Sequence, residues 1–381
     1  MAYLVAFLMA ACVVLWTTPT IKAVGLRSGR IDKPNARKMH TRPMVRLGGV
    51  SIFLGYLVAL LLVWRTGAFG ILPPEKEYEI WGVTIGGLLF FCIGLADDLF
   101  DLPASWRLLA QSSVAIAAWA VGVRIEFVTL PFIGLVTFPA FLSAIITLLW
   151  LVGLTNAINW MDGLDGLAAG VSGIAAVVLL MVSLLMNQPG AAIIAAALAG
   201  GSLGFLRYNF NPAQIFMGDG GAYFLGFTLA GIGAVGVAKV ATTLAIALPF
   251  CILAVPIVDM SAVMFNRIAR GSSPFKADNR HLHHRLMQAG LSQRLTVLFV
   301  YALTLWMGSL ALVLSGSPVG SAFLGGASVV MVAVGWEVWK RVRRLANIRS
   351  HHNGRAVLSE TRSDASSTTE ESSVGDRPNQ T

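Results

Sequence analysis

The sequence predicts an all-α polytopic integral membrane protein with about eleven transmembrane helices. Of its 381 residues, 56% are hydrophobic and only 12% are charged, whereas roughly a quarter of the residues of a soluble domain are charged. Apolar runs of nearly 20 residues recur along the chain, and a helix of about that length crosses a bilayer. A membrane β-barrel would instead show alternating segments of about ten residues, and the sequence lacks that pattern.

The candidate spans are apolar runs separated by polar segments. In chain order they cover residues 2–19, 48–70, 80–96, 108–123, 139–155, 166–186, 191–206, 221–237, 242–264, 295–314 and 320–339. No Lys or Arg precedes the first run, so we expect a retained helix rather than a cleaved leader. We therefore expect one transmembrane domain over residues 1–345. Residues 346–381 are rich in Ser, Thr, Asp and Glu and are predicted to form a disordered cytoplasmic tail.

The basic residues predict the orientation of these spans. With the N-terminus outside, the inside segments carry 21 Lys and Arg up to Arg349, and the outside loops carry four. An excess of positive charge marks cytoplasmic loops, so we expect the C-terminus in the cytoplasm. The formal charge of +9 then reflects orientation beside a lipid bilayer rather than nucleic-acid binding. The predicted cytoplasmic active-site loops are 20–47, 97–107, 156–165, 207–220 and 265–294.

The first two of these loops each carry a polar cluster. The stretch RKMHTRPMVRLGG (37–49) combines several cations with His40, although a cationic loop of this kind also meets anionic lipid headgroups. The stretch DDLFD (97–101) is followed by Arg107. Adjacent carboxylates repel each other unless a cation lies between them or one stays protonated. The second cluster therefore indicates Mg²⁺, a proton-handling group, or both.

A third cluster, NAINWMDGLDGL (156–167), places two amides and two carboxylates between strongly apolar runs. Ionisable groups in such positions usually mark a site, and Asp and Asn side chains are able to read a base or ribose edge. A fourth cluster places Asp219 among glycines in FMGDGG, just before an apolar helix. Small residues there let a pyrophosphate approach backbone N–H groups, and Asp219 suits a metal that bridges to phosphate.

The fifth cluster is SPFKADNRHLHHRL (273–286), which ends in the histidine segment HLHHRL (281–286). Its spacing is poor for three zinc ligands on one helix face, so a cationic clamp on phosphates is the better interpretation. Asp259 is the only carboxylate of the ninth predicted span, and we expect it to be structural and paired with Arg267 or Arg270.

Taken in order, the five clusters resemble those of the polyprenyl-phosphate N-acetylhexosamine-1-phosphate transferases, the superfamily of glycosyltransferase family 4. The resemblance covers about residues 20–295. DDLFD and HLHHRL are similar to the WecA/TagO branch rather than to the related MraY enzymes. Ala222 stands where the family commonly has a serine, which leaves the sugar donor open.

The resemblance implies a reaction and a location. N-acetylglucosamine 1-phosphate would pass from UDP-GlcNAc to undecaprenyl phosphate, giving undecaprenyl-diphospho-GlcNAc and UMP, with Mg²⁺ as cofactor and Mn²⁺ as a substitute. This would be the first membrane step of a cell-envelope polysaccharide pathway, at the cytoplasmic face of the bacterial inner membrane. The polymer that it feeds, O-antigen or a teichoic-acid linkage among others, stays open, and related enzymes are often homodimers.

The resemblance also implies roles for individual residues. Asp219 would be the leading Mg²⁺ ligand, with Asp97 and Asp98 as further ligands. Asp97, Asp98 and Asp162 would be catalytic. The uridine edge would be formed by Asp162, Gly163, Leu164 and Asp165, with Phe216 as a wall. The remaining substrate-binding candidates are Asn156, Asn159, Arg107, His40, Arg280, His281, His283 and His284.

Three other functions are compared with this one. A MraY-like transferase of phospho-MurNAc-pentapeptide is the nearest, and the HLHHRL segment argues against it. An intramembrane prenyltransferase would carry two DDxxD motifs, but the sequence has only DDLFD. A transporter would place carboxylates at mid-membrane depth in broken helices, whereas here the polar residues gather at the inner ends of the predicted helices.

Overall fold

The computed structural model describes residues 1–29, 31–32, 43–67, 69, 74–130, 133–237, 247–271 and 281–344. Its first half contains α1 (Ala2–Arg27), β1 (Ile31–Asp32), β2 (Met44–Val45), α2 (Gly48–Arg65), α3 (Pro74–Phe100), α4 (Ala104–Ala120), β3 (Phe127–Leu130), β4 (Gly134–Thr137) and α5 (Ala140–Met161). The second half contains α6 (Leu167–Leu185), α7 (Pro189–Asn209), α8 (Gly218–Ile232), α9 (Ala247–Ile252), α10 (Ala254–Ala269), α11 (Leu282–Gln288), α12 (Gln293–Leu314) and α13 (Gly320–Arg344).

The described helices confirm the predicted all-α, polytopic membrane class. Eight are long and apolar enough to cross a membrane, namely α1, α2, α3, α5, α6, α7, α12 and α13. Three shorter helices, α4, α8 and α10, occupy further predicted spans, and a π-helical turn over Gly233–Val237 continues α8. The count of eleven spans and the orientation stay predictions, as does the tail over 346–381, which lies outside the described residues.

The two small sheets lie in connections between helices, and Val45 of β2 packs into the helical core. β1 pairs antiparallel with β2, with Ile31 opposite Val45. β3 pairs antiparallel with β4 in the connection from α4 to α5, with Phe127 opposite Thr137. Many large apolar side chains on the helices are exposed in the isolated chain, as Trp16, Phe141 and Val329 are, and this is expected of surfaces that face lipid.

Helix α8 is the centre of the fold and begins at the fourth polar cluster. Each of its residues is buried except Asp219, and it packs against α2, α3, α5 and α6. Its first turn meets α3 at very short range: a Cβ added to Gly94 would lie 2.4 Å from the carbonyl oxygen of Asp219. The glycine therefore sets how closely the acidic end of α3 approaches Asp219.

We expect Gly94→Ala to lower the stability of the protein by about 1–3 kcal/mol, as overpacking of a tight core does. The clash is with backbone, so no side-chain rotation relieves it. Gly153→Ala on α5 is the matched control, because its added Cβ would lie 4.0 Å from the nearest atom, Met260 Cε. Thermal unfolding of both purified variants in detergent checks this, and equal midpoints would contradict the role given to Gly94.

Candidate active site

The site forms where α3 and α5 end and α8 begins. The last turn of α3 carries Asp97 and Asp98, and the last turn of α5 carries Asn159. Asn159 Nδ2 donates to Asp219 Oδ1 at 2.7 Å, and the carboxyl of Asp97 faces that of Asp219. Helical geometry continues beyond the apolar part of each run, so Asp97, Asp98 and Asn159, which the sequence assigned to loops, lie on helix ends instead.

Asp97 is anchored by protein contacts on both carboxylate oxygens. Its side chain is 5% exposed. Oδ2 accepts from Arg107 Nη1 at 2.5 Å, and Oδ1 accepts from the backbone N–H of Leu102 at 2.9 Å. Arg107, a substrate-binding candidate from the sequence, therefore pairs with a carboxylate of the protein in this structure.

Asp98 differs from its neighbour in how many partners it has. Its side chain is 3% exposed, and Arg46 Nε lies 3.8 Å from Oδ1. Oδ2 accepts from the N–H of Gly220 at 3.0 Å, but Oδ1 is buried without a hydrogen-bond partner. A buried carboxylate oxygen without a partner raises the free energy of the folded protein unless a cation or a ligand compensates it. Of the two carboxylates, Asp98 is therefore the one with an oxygen available to a metal ion or a ligand.

Asp162 lies in the turn between α5 and α6, close to the same charges. The residue keeps some exposed surface, but protein atoms crowd its carboxyl. Burial, and after it the negative charge of Asp219, raise the pKa of Asp162 to about 7 against the opposing effect of Arg46. Asp162 therefore belongs electrostatically to the acidic cluster even though no direct bond joins it to Asp219.

Asp165 has contacts that hold a loop. Its Oδ2 accepts from Asn211 Nδ2 and from the N–H of Ala213, each at 3.0 Å. Leu164 is 4% exposed and packs in an apolar cluster with Met161 and Val300. These contacts support the shape of the turn, and binding of uridine by either residue stays a prediction.

The histidine segment packs against the turn that carries Asp162. His283 Nε2 would lie 2.6 Å from a Cβ on Gly163, so glycine is required for this approach. Burial and the charge of His284 lower the pKa of His283 to about 4, which keeps its imidazole neutral near pH 7. His281 lies beside Trp160, with ring centroids 5.8 Å apart. The fifth cluster therefore packs against the third.

The other predicted residues lie nearby or outside the described chain. Asn156 donates from Nδ2 to Gln111 Oε1 at 2.7 Å. Phe216 is half-buried, and its backbone joins Val45 and Gly48 through hydrogen bonds. His40 and Arg280 lie outside the described residues, so their predicted roles have no structural account.

Two residues that sequence reasoning did not select belong to this site. Arg46 acts electrostatically on Asp98, Asp162 and Asp219 at once. It stands in the first cationic cluster just before the paired glycines, and that position was the available signal. Gln111 is 1% exposed and lies four residues after Arg107, where a buried amide in an apolar helix calls for a partner.

The donor set suits Mg²⁺ without forming a complete cage. The carboxylates of Asp97, Asp98 and Asp219 gather with an orphaned oxygen on Asp98, and hard oxygen ligands are those that Mg²⁺ prefers. Within the part of the chain that the structure describes, no three acidic, histidine or cysteine side chains surround one point. Mg²⁺ often takes only one or two carboxylates, with water and substrate phosphates as further ligands, so this arrangement fits the ion.

Comparison with known proteins gives consistent matches. A family model described as glycosyl transferase family 4 matches residues 80–237. The chain is 35% identical over 321 residues to a probable undecaprenyl-phosphate N-acetylglucosaminyl 1-phosphate transferase of Bacillus subtilis, covering 83% of this chain and 86% of that protein. It is 31% identical to a decaprenyl-phosphate N-acetylglucosaminephosphotransferase of Mycolicibacterium smegmatis, covering 86% of each.

A third relative is matched over almost its whole length. This is an undecaprenyl-phosphate alpha-N-acetylglucosaminyl 1-phosphate transferase of Haemophilus influenzae, 31% identical over 358 residues, which cover 90% of this chain and 96% of that protein.

Proposed function

The chain belongs to glycosyl transferase family 4, and from that premise we propose that it transfers N-acetylglucosamine 1-phosphate from UDP-GlcNAc to undecaprenyl phosphate. The products are undecaprenyl-diphospho-GlcNAc and UMP. As a multi-pass membrane protein it would work at the inner membrane of a bacterium, with the site on the cytoplasmic face where the nucleotide sugar is available. The activities for which the relatives are named support the reaction, and the excess of basic residues on one set of loops supports the orientation.

One observation carries the proposal. Carboxylates from two distant motifs, Asp97 with Asp98 and Asp219, converge beside the cations Arg46 and Arg107. Two anionic substrates repel each other, and phosphoryl transfer depends on positioning and on offsetting that charge. Carboxylates that hold Mg²⁺, together with guanidinium groups, are able to do both at a membrane surface.

In the proposed reaction a phosphate oxygen of the lipid attacks the β-phosphorus of the nucleotide sugar. A new P–O bond forms there, the bond to the bridging oxygen breaks, and UMP leaves with that oxygen. A phosphate monoester has a second pKa near 6, so the attacking group is largely ionised near neutral pH and a strong base is not required. Asp219 and Asp98 would hold Mg²⁺, which would neutralise charge on the diphosphate.

An apolar groove supports a prenyl chain as the acceptor's tail. It lies between α5 and α10, has a volume of about 320 Å³, and includes Leu149, Gly153 and Met260 in its lining. Leu154 also lines it, about 7.5 Å along the α5 axis from Asn159 at 1.5 Å per residue. A lipid whose chain occupied this groove would have its phosphate near the acidic cluster.

The competing functions account for fewer of these contacts. A transporter would not need the ends of α3, α5 and α8 to gather acidic and basic side chains at one end of the bundle. A prenyltransferase would need a second aspartate-rich motif, which the sequence lacks. A phospho-MurNAc-pentapeptide transferase would share the acidic cluster, so only the donor distinguishes it.

We expect the purified protein with Mg²⁺ and undecaprenyl phosphate to release UMP from UDP-GlcNAc. Chromatography of the nucleotide products measures this, and the labelled lipid product confirms transfer rather than hydrolysis. The panel of donors should include UDP-GlcNAc, UDP-GalNAc, UDP-QuiNAc and UDP-MurNAc-pentapeptide. Chelation of Mg²⁺ is the control and should stop UMP release.

Two results would count against the proposal. Release of UMP from UDP-MurNAc-pentapeptide and from no other donor would show that the protein is a MraY-like phospho-MurNAc-pentapeptide transferase instead. No UMP from any UDP-N-acetylhexosamine, with protein that unfolds cooperatively, would reject the reaction.

A further inference from the structure

Asp259 is a buried carboxylate whose charge the proposed chemistry does not use. It is the only acidic residue of α10 and is 9% exposed. Placing a charge in an apolar helix is expensive, and a hydrophobic residue often gives equal or better stability in such a place. Stability alone is therefore a poor reason for a carboxylate here, so its contacts indicate what it does.

Both oxygens of Asp259 hold the start of the histidine segment. Oδ2 lies 3.0 Å from His281 Nδ1, and Oδ1 accepts from the backbone N–H of Leu282 at 2.7 Å. One oxygen thus orients the imidazole, while the other fixes the backbone that carries it. Asp259 therefore controls both the position and the rotation of His281.

His281 also packs against the end of α5. Its ring lies 5.8 Å from the ring of Trp160, on the last turn of that helix. Arg267 also lies over that indole, with its guanidinium carbon 5.3 Å from the ring centre. The next histidine, His283, stacks on His281 at 5.8 Å and reaches the glycine of the Asp162 turn.

The nitrogen left for a ligand is Nε2. When a carboxylate accepts the Nδ1–H of a histidine, it fixes the tautomer and the ring orientation. Within the described part of the chain, the hydrogen bond of the His281 side chain is the one from Nδ1 to Asp259 Oδ2. The imidazole is thus held by its Nδ1 edge.

We propose that Asp259 is a positioning residue that binds His281 Nδ1–H and the Leu282 amide, and thereby presents His281 Nε2 to the diphosphate of the nucleotide sugar. This inference rests on the proposed function for the identity of the ligand. It assigns no contact between Asp259 and substrate, so Asp259 acts only through His281.

We expect Asp259→Asn to lower kcat by about tenfold or more, the usual size of effect when an outer carboxylate that orients a histidine is removed. Asn keeps an acceptor for the Leu282 N–H but offers His281 an N–H donor, so the imidazole turns or changes tautomer. kcat and kcat/KM should fall together, because the lost interaction serves the transition state. The matched control is Asn266→Ala on the same helix, whose exposed side-chain amide donates to the carbonyl of Ala262 in its own turn.

A double-mutant cycle separates positioning from a merely structural role. His281→Gln should lower kcat by itself, and adding Asp259→Asn to it should change kcat less than about twofold, because residues that act as a unit are not additive. Full additivity, or wild-type kcat in Asp259→Asn, would overturn the proposal. Should Asp259→Asn fail to fold, Asp259→Glu keeps the charge but displaces the ring, and the same cycle applies.

A readout that needs no activity separates this inference from the proposed function. Nitrogen NMR of histidine-labelled protein in lipid should show a hydrogen-bonded Nδ1–H for His281, identified by its loss in His281→Gln, and Asp259→Asn should remove that signal. An unchanged signal in Asp259→Asn would reject the positioning role, whether or not the wild-type protein releases UMP. Absence of UMP release with the expected signal would reject the reaction alone.

Discussion

Replacing Asp219 by Asn is expected to lower UMP release by about a thousandfold at ordinary Mg²⁺ concentrations. A bound cation supplies several kcal/mol of charge stabilisation to a transferring phosphoryl group, and each 1.36 kcal/mol is tenfold in rate. The amide keeps the shape of the side chain but lacks the negative charge that holds Mg²⁺. A steady-state assay over a range of Mg²⁺ concentrations, with UDP-GlcNAc saturating, measures the loss.

The fold should survive this substitution, so the loss reports on chemistry. Asp219 is crowded by the carboxylates of Asp97 and Asp98, and a neutral amide relieves that repulsion. The unfolding midpoint should therefore stay the same or rise. Asp101→Asn is the matched control, because Asp101 is exposed and its φ of +49° is one that Asn adopts readily. Full activity of Asp219→Asn would remove Asp219 from the metal site.

The membrane class was predictable because it depends on run length and composition. Each predicted apolar run contains a helix, since a bilayer leaves the backbone few other ways to satisfy its hydrogen bonds. The ends of the helices were not predictable in the same way. The predicted span 80–96 stops at Asp97, whereas α3 continues to Phe100. Hydropathy ends where charge begins, but backbone hydrogen bonding continues through the charged turn.

The convergence of the described parts of the five clusters could be inferred from the predicted topology, but the partners within the site could not. The spacing of Asp97, Asp98 and Asp101 gives no sign that one is anchored, one has an orphaned oxygen and one is exposed. That difference comes from α4 and α8, which supply Arg107 and the Gly220 N–H. Asp259 shows the same limit: Arg267 or Arg270 was expected as its partner on its own helix, but the structure gives it His281 from another segment.

Asp98→Asn and Asp97→Asn are expected to fail in different ways, although the two residues are adjacent. Asp98 has a buried oxygen without a partner, so its charge is available to Mg²⁺ or to the lipid phosphate. We expect Asp98→Asn to lower kcat by about a hundredfold or more, within the range for a positioned group that acts on the reacting phosphate, and to leave the unfolding midpoint unchanged. The charge of Asp97 is instead neutralised by Arg107, whose Nη1 lies 2.5 Å from Asp97 Oδ2.

Asp97→Asn should therefore lower the unfolding midpoint as well as the activity. Removing one partner of a buried ion pair leaves the charge of the other uncompensated. We expect the free energy of unfolding to fall by about 2 kcal/mol, a moderate loss because Arg107 is 32% exposed and partly screened by solvent. Arg107→Gln should reproduce this loss of stability, and the double variant should lose little more, since both changes break the same pair. Asp98 should not lose stability in this way, because the Nε of Arg46 lies 3.8 Å from its Oδ1, beyond hydrogen-bond distance. Calorimetry and UMP release on the three single variants and the double variant decide the matter. If Asp97→Asn keeps the wild-type midpoint while losing as much activity as Asp98→Asn, the division of roles between the two carboxylates is wrong, and both act on substrate.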